Sequence, residues 1–142
     1  MVGTEFINGQ GLGNQLFCYV TARVVAEEKG YEFGTAGQER FAVNIHSDRG
    51  MYFMDMDLGK RITEEEKSCF QIYNDKEERL YIGNSRHDME HGCYIAGADQ
   101  NLKNISDNTL IYGNMQDESY FIDHLDQVKQ WLHVKPEYDS YE

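Results

Sequence analysis

Apolar positions in the first part of the chain change period as the chain proceeds. Val2 to Ile7 is short and ends in Phe6 and Ile7, the pattern of a buried parallel strand that feeds a glycine turn. The chain then turns through Gly9, Gln10, Gly11, Leu12 and Gly13. From Asn14 onward, Leu16, Phe17, Val20, Val24 and Val25 fall at helical spacing, which predicts a helix with Asn14 as its N-cap and Gly30 as its stop. Tyr31 to Phe33 reads as a second short strand, with Gly34 and Gly37 opening the next loop. Strand, glycine turn, helix and strand make the start of a βαβ unit.

Residues 38 to 108 carry a weaker period. Short apolar clusters (Phe41 to Ile45, Met51 to Met56, Leu80 to Ile82, Tyr94 to Ala98) alternate with polar stretches, and predict small strands, a helix near Thr63 to Phe70 and long loops. Thr109 to Tyr112 predicts a buried strand. After Gly113, a helix is expected from about Asp117 to His133, with Tyr120, Phe121, Leu125, Val128, Trp131 and Leu132 facing inward, and Pro136 forbids its continuation. The expected fold class is α/β: one domain over residues 1–142, three-layer and Rossmann-like, with a mostly parallel sheet.

Charge narrows the partners. The chain has 142 residues, with 13 Lys plus Arg against 25 Asp plus Glu, a formal net charge of -12. That charge opposes binding to bare nucleic acid or to an anionic membrane face, so a phosphorylated ligand needs a locally favourable pocket. No window approaches the length of apolar chain a membrane span needs, and no cationic segment followed by an apolar run opens the sequence. Cys18, Cys69 and Cys93 are widely spaced and contain no Cys-x-x-Cys pair, which fits reduced thiols in a cytoplasmic protein.

Gly9, Gly11 and Gly13 between a strand and a helix invite an anion, because the free N–H groups of a first helical turn carry partial positive charge. A dinucleotide fingerprint wants a third glycine where this chain has Asn14; Glu32 in the next strand would be its ribose-binding acid. A P-loop is excluded, since no Gly-Lys-Ser or Gly-Lys-Thr follows. A plain tight turn is the alternative. Arg23 reads best as a solvated or core-edge side chain. Arg86, His87, Asp88, Glu90 and His91 imitate a metal site, but the flanking Gly83, Asn84, Ser85 and Gly92 favour a solvated loop, and no metal is expected. Glu64 to Glu66 and Lys76 to Arg79 read as solvated faces. Tyr73, Tyr81, Tyr94 and Tyr112 fit strand edges better than a sugar-stacking platform.

Gly11, Leu12, Gly13, Asn14, Gln15, Leu16, Phe17 and Tyr19, continued by Ala22 and Arg23, resemble the opening motif of the alpha-1,2-fucosyltransferase family. Gly113, Gln116, Tyr120 and Phe121 are similar to that family's second motif, in the expected order and before a helix. Cys18 stands where the family has Gln, Asn114 where it has an aromatic residue, and Asp117 where it has Ser.

The resemblance implies the N-terminal, acceptor-side half of a two-domain GT-B glycosyltransferase. Such an enzyme moves fucose from GDP-fucose to a galactoside with inversion, and needs no catalytic metal or other cofactor. Gly11, Gly13, Asn14 and Gln15 would face the donor or the sugar, with Gln15 open to capping the helix or touching acceptor instead. The family's His-x-Arg-Arg-Gly-Asp segment for donor binding does not occur before Glu142, so a donor-binding C-terminal domain is expected to be absent and the isolated chain inactive. The general base is open among His46, Asp48, His87, Asp88 and Glu90. An exposed apolar face and homo-oligomers are expected if a covering half is missing, and a bacterial location that is membrane-peripheral through glycan assembly is compatible. The alternatives are a small NAD-type nucleotide-binding module and a noncatalytic glycan-binding or assembly domain.

Overall fold

A computed structural model describes residues 1–7, 12–41, 56–74, 100–113 and 120–133, and the backbone of 78–81 and 93–96. Its centre is a five-stranded, all-parallel sheet of α/β, Rossmann-like type. Strands β1 (Val2–Glu5), β2 (Phe33–Ala36), β3 (Lys60–Ile62), β4 (Gln71–Asn74) and β7 (Thr109–Tyr112) lie in the order β3-β2-β1-β7-β4. Strands β5 (Glu78–Tyr81) and β6 (Cys93–Ala96) form a separate antiparallel pair.

Helix α1 (Leu12–Lys29) connects β1 to β2. Because those strands are parallel, α1 must run back against them, which sets its N-terminus at the carboxyl ends of the strands. The helix begins at Leu12, so Asn14 lies inside the first turn and is not the N-cap. Gly30 is the stop. Its N–H donates to the Glu27 carbonyl and that of Tyr31 to the Ala26 carbonyl, the paired bonds of a Schellman ending.

The alternation of side chains along the strands divides the core. Val2 and Ile111 face α1 and pack with Cys18, Ala22 and Ala26, while Phe6, Tyr19, Val20 and Val24 meet Val128 of the last helix. Phe6 and Tyr19 are fully buried, and each such side chain contributes about 2–3 kcal/mol of burial free energy. Ala36, Ile62 and Leu110 face the opposite side, covered by Phe70 just after α2 (Glu64–Lys67). Helices therefore flank both faces.

Other boundaries also differ from expectation: β1 ends at Glu5, and Ile7 beyond it is 45% exposed rather than the buried end of a strand. Strand β2 starts at Phe33, not Tyr31, so Gly34 is a strand residue rather than a loop opener. It pairs with Gly3, where a Cβ would lie 2.1 Å from the Gly34 carbonyl oxygen and 3.2 Å from Ile62 Cδ1; packing, not turn geometry, calls for glycine there. The helix near Thr63 is one turn long, capped by the Thr63 hydroxyl accepting from the Glu66 N–H, and the chain then enters β4, which has no period of its own. The last helix, α3, spans Leu125–Trp131 after a 3₁₀ turn at Ile122–His124, shorter than Asp117 to His133. It meets α1 through Val128, Trp131 and Leu132, whereas Leu125, at its first residue, is 40% exposed. Among the described residues no helix is long and apolar enough to cross a membrane.

Candidate functional site

The connection out of β1 leads to β2 on one side, while β7 is paired with β4 on the other, so the sheet changes direction between β1 and β7. In open parallel sheets ligands settle outside the carboxyl ends of the strands at such a point. The backbone ladder ends there. The β1 to β7 ladder pairs only Val2 with Thr109 and Gly3 with Leu110; beyond it, side chains make the bridge. Thr4 Oγ1 donates to the Ile111 carbonyl at 2.7 Å, and the Tyr112 hydroxyl donates to Glu5 Oε1 at 2.9 Å.

The two sequence motifs meet at this edge. The buried Cys18 thiol donates to the Gly113 carbonyl at 2.9 Å, and the rings of Phe17 and Phe121 lie 6.2 Å apart. Gly113 has φ 139, a conformation that favours glycine. Tyr120 packs against the cluster containing Cys18. Gly13, Leu16, Phe17, Phe121, Val128 and Leu132 line an apolar cavity of about 260 Å³ between α1 and α3.

Of the individual candidates, Gly13 is exposed and Asn14 partly exposed in the first turn of α1. Gln15 is fully buried, and its Nε2 donates to the Arg40 carbonyl at 3.1 Å, fastening the loop after β2 to α1. Gly11 and Gln116 lie outside the described residues, as do His46, Asp48 and the segment Arg86 to His91. Among the described residues no group of three or more His, Cys, Asp or Glu side chains could hold a metal ion. Arg23 is a core-edge residue: its guanidinium stacks 4.3 Å from the Trp131 ring centroid and donates to the Tyr19 hydroxyl. Glu32 precedes β2 and so lies at the amino end of the sheet, away from the glycine turn; a ribose-binding acid belongs at the other end of that strand.

The polar centre of this edge is Glu5, which sequence reasoning missed. Its Oε2 accepts from Lys67 Nζ at 2.5 Å and from Arg40 Nη2 at 3.0 Å, while Oε1 accepts from Tyr112. Arg40 is itself aimed by donating from Nε to the Phe6 carbonyl at 2.7 Å. Three chain segments thus converge on the carboxylate of a fourth. Burial pushes the Glu5 carboxyl up, but the hydrogen bonds from Lys67 and Tyr112 and the charges of Lys67 and Arg40 outweigh it and hold it below its ordinary range. Tyr112 is pushed up to about 12 by burial, by its bond to Glu5 and by the Glu5 charge. Lys67 is raised by its hydrogen bonds to Glu5 and Glu64. The one available signal was an acid inside the otherwise uncharged run Val2 to Ile7; its partners lie 35, 62 and 107 residues away.

Comparisons of the chain with protein-family models, curated proteins and solved structures gave no match.

Proposed function

We propose that the chain forms the acceptor-side half of a GT-B glycosyltransferase of the alpha-1,2-fucosyltransferase type, acting between a sugar nucleotide and a glycan acceptor. The observation that carries this reading is the meeting of its two motifs at the carboxyl edge of the sheet, through Cys18 with Gly113 and Phe17 with Phe121. When the bond from fucose to GDP breaks, negative charge builds on the leaving diphosphate. The first-turn N–H groups of α1 at Leu12, Gly13 and Asn14 are suited to stabilise that charge. The acceptor hydroxyl must lose its proton to a base, and Glu5 is a poor one, since Lys67 and Arg40 favour its ionised form. The position of Glu32 weighs against the NAD-type alternative.

Calorimetric titration with GDP-fucose, a galactoside and NAD tests the reading. These residues hold no His-x-Arg-Arg-Gly-Asp segment, so the chain is expected to bind the galactoside, to bind GDP-fucose weakly or not at all without turning it over, and to ignore NAD. NAD binding abolished by Glu32→Ala, or no heat with any sugar ligand, would overturn it.

A further inference from the structure

The Glu5 carboxylate lies on the sheet face opposite α1, its cluster tied to the first motif through the Gln15 bond to the Arg40 carbonyl, and nothing above gives it a ligand. We propose that Glu5, Arg40, Lys67 and Tyr112 form a recognition site for the neighbouring hydroxyls of a neutral sugar. The inference deepens the glycosyl-transfer reading and rests on it for the identity of the sugar, a galactoside.

Charge selects the ligand class. Arg40 and Lys67 are countered by Glu5, Glu39 and Glu64, all within ion-pairing distance of them. Two cations against three acids offer no net attraction to a phosphate, and the chain's net charge of -12 adds to the repulsion. A sugar hydroxyl both donates and accepts, and among the described residues the cluster has both capacities left. Arg40 uses one N–H each toward Phe6, Glu39 and Glu5, of the five that a guanidinium carries. Lys67 directs its ammonium to Glu5 and Glu64, leaving one N–H of three. The Tyr112 oxygen donates to Glu5 and keeps its lone pairs. A pair of adjacent hydroxyls can accept from Arg40 and Lys67 while donating to Glu64 or to the Tyr112 oxygen.

Access and rigidity agree with this. The Arg40 and Lys67 side chains are 23% and 24% exposed and Glu5 is 11% exposed, so the heads reach solvent while the network fixes their positions. Fixed donors lose little freedom on binding. The location, at the carboxyl ends of β1 and β7 where their backbone ladder has ended, is where an open parallel sheet admits a ligand.

The test is an NMR titration of the full chain with methyl β-galactoside, L-fucose, GDP and inorganic phosphate, repeated on Tyr112→Phe, Lys67→Met and Lys67→Arg. The galactoside is expected to shift the Tyr112 and Lys67 resonances. Tyr112→Phe and Lys67→Met should each weaken binding about tenfold while the circular dichroism spectrum stays native, and Lys67→Arg should retain most of it. If L-fucose shifts these resonances instead, the hydroxyl site stands and the sugar comes from the donor side. Phosphate or GDP binding at these residues would overturn the proposal, as would galactoside binding that neither Tyr112→Phe nor Lys67→Met weakens, or no sugar shift in a folded chain. Galactoside binding elsewhere refutes this site and leaves the glycosyl-transfer reading standing. Sugar binding here, together with NAD binding sensitive to Glu32, does the reverse.

Discussion

Replacing Glu5 by Gln keeps the volume of the side chain and removes the charge on which Lys67, Arg40 and Tyr112 converge. Turned toward Lys67 and Arg40, the amide oxygen can still accept both of their bonds, now without the charge, while the NH2 group meets the Tyr112 hydroxyl, which must then accept instead of donating. Hydrogen bonds to a charged group are each worth about 1.5–3 kcal/mol when buried. Arg40 and Lys67 are roughly a quarter exposed and can turn to water, so a net loss of about 1–2 kcal/mol is expected, a Tm drop of about 3–8 °C for a domain of this size.

The pH dependence gives the sharper test. Glu5 is held below its ordinary pKa, so its contribution is present above the unfolded value of about 4.3 and fades as pH falls through the folded one. Tyr112 is raised to about 12, so its contribution is present below the unfolded value of about 10 and is lost as pH rises from about 10 toward 12. Two units correspond to at most about 2.7 kcal/mol, cut to about 1 kcal/mol by solvent screening at a half-buried phenol. Thermal unfolding followed by circular dichroism from pH about 3 to about 11 should show a gap between wild type and Glu5→Gln that is widest near neutrality and narrows toward both ends. Phenolate absorbance, taken as the difference from Tyr112→Phe, should show the Tyr112 pKa falling below about 12 in Glu5→Gln while staying above about 10, because burial remains. A constant gap across this range, with Tyr112 still titrating near 12 in the variant, would refute the coupling.

Two further outcomes follow from the packing. Cys18→Gln, which puts a larger polar side chain at a position only 3% exposed, should overfill the core around Gly113 and destabilise the chain by about 1–3 kcal/mol, read as a lower denaturant midpoint; an unchanged midpoint would mean that the two motifs are not in contact. A double-mutant cycle on Arg23→Ala and Trp131→Ala should give a coupling of about 0.5–1 kcal/mol, and additive effects would rule out the stacked pair.

What the sequence determined by itself is what local period and turn chemistry can carry. The existence of a strand near Val2, the three- and four-residue spacing of α1, its stop at Gly30 and the strand Thr109–Tyr112 were all legible, and together they fix an α/β fold, whereas the end of β1 at Glu5 was not. Boundaries set by packing were not legible. Gly34 looks like a loop residue until Gly3 and Ile62 are brought against it, and Leu125 looks inward-facing until α3 is seen to meet α1 through Val128, Trp131 and Leu132. The polar site was hidden for the same reason. Only the strand order β3-β2-β1-β7-β4 brings Tyr112 beside Glu5, and only the return of the chain over the opposite face brings Lys67 to it. A charge within an apolar strand can be noticed in the sequence; the groups that neutralise it are chosen by the tertiary fold, because their separation along the chain carries no period.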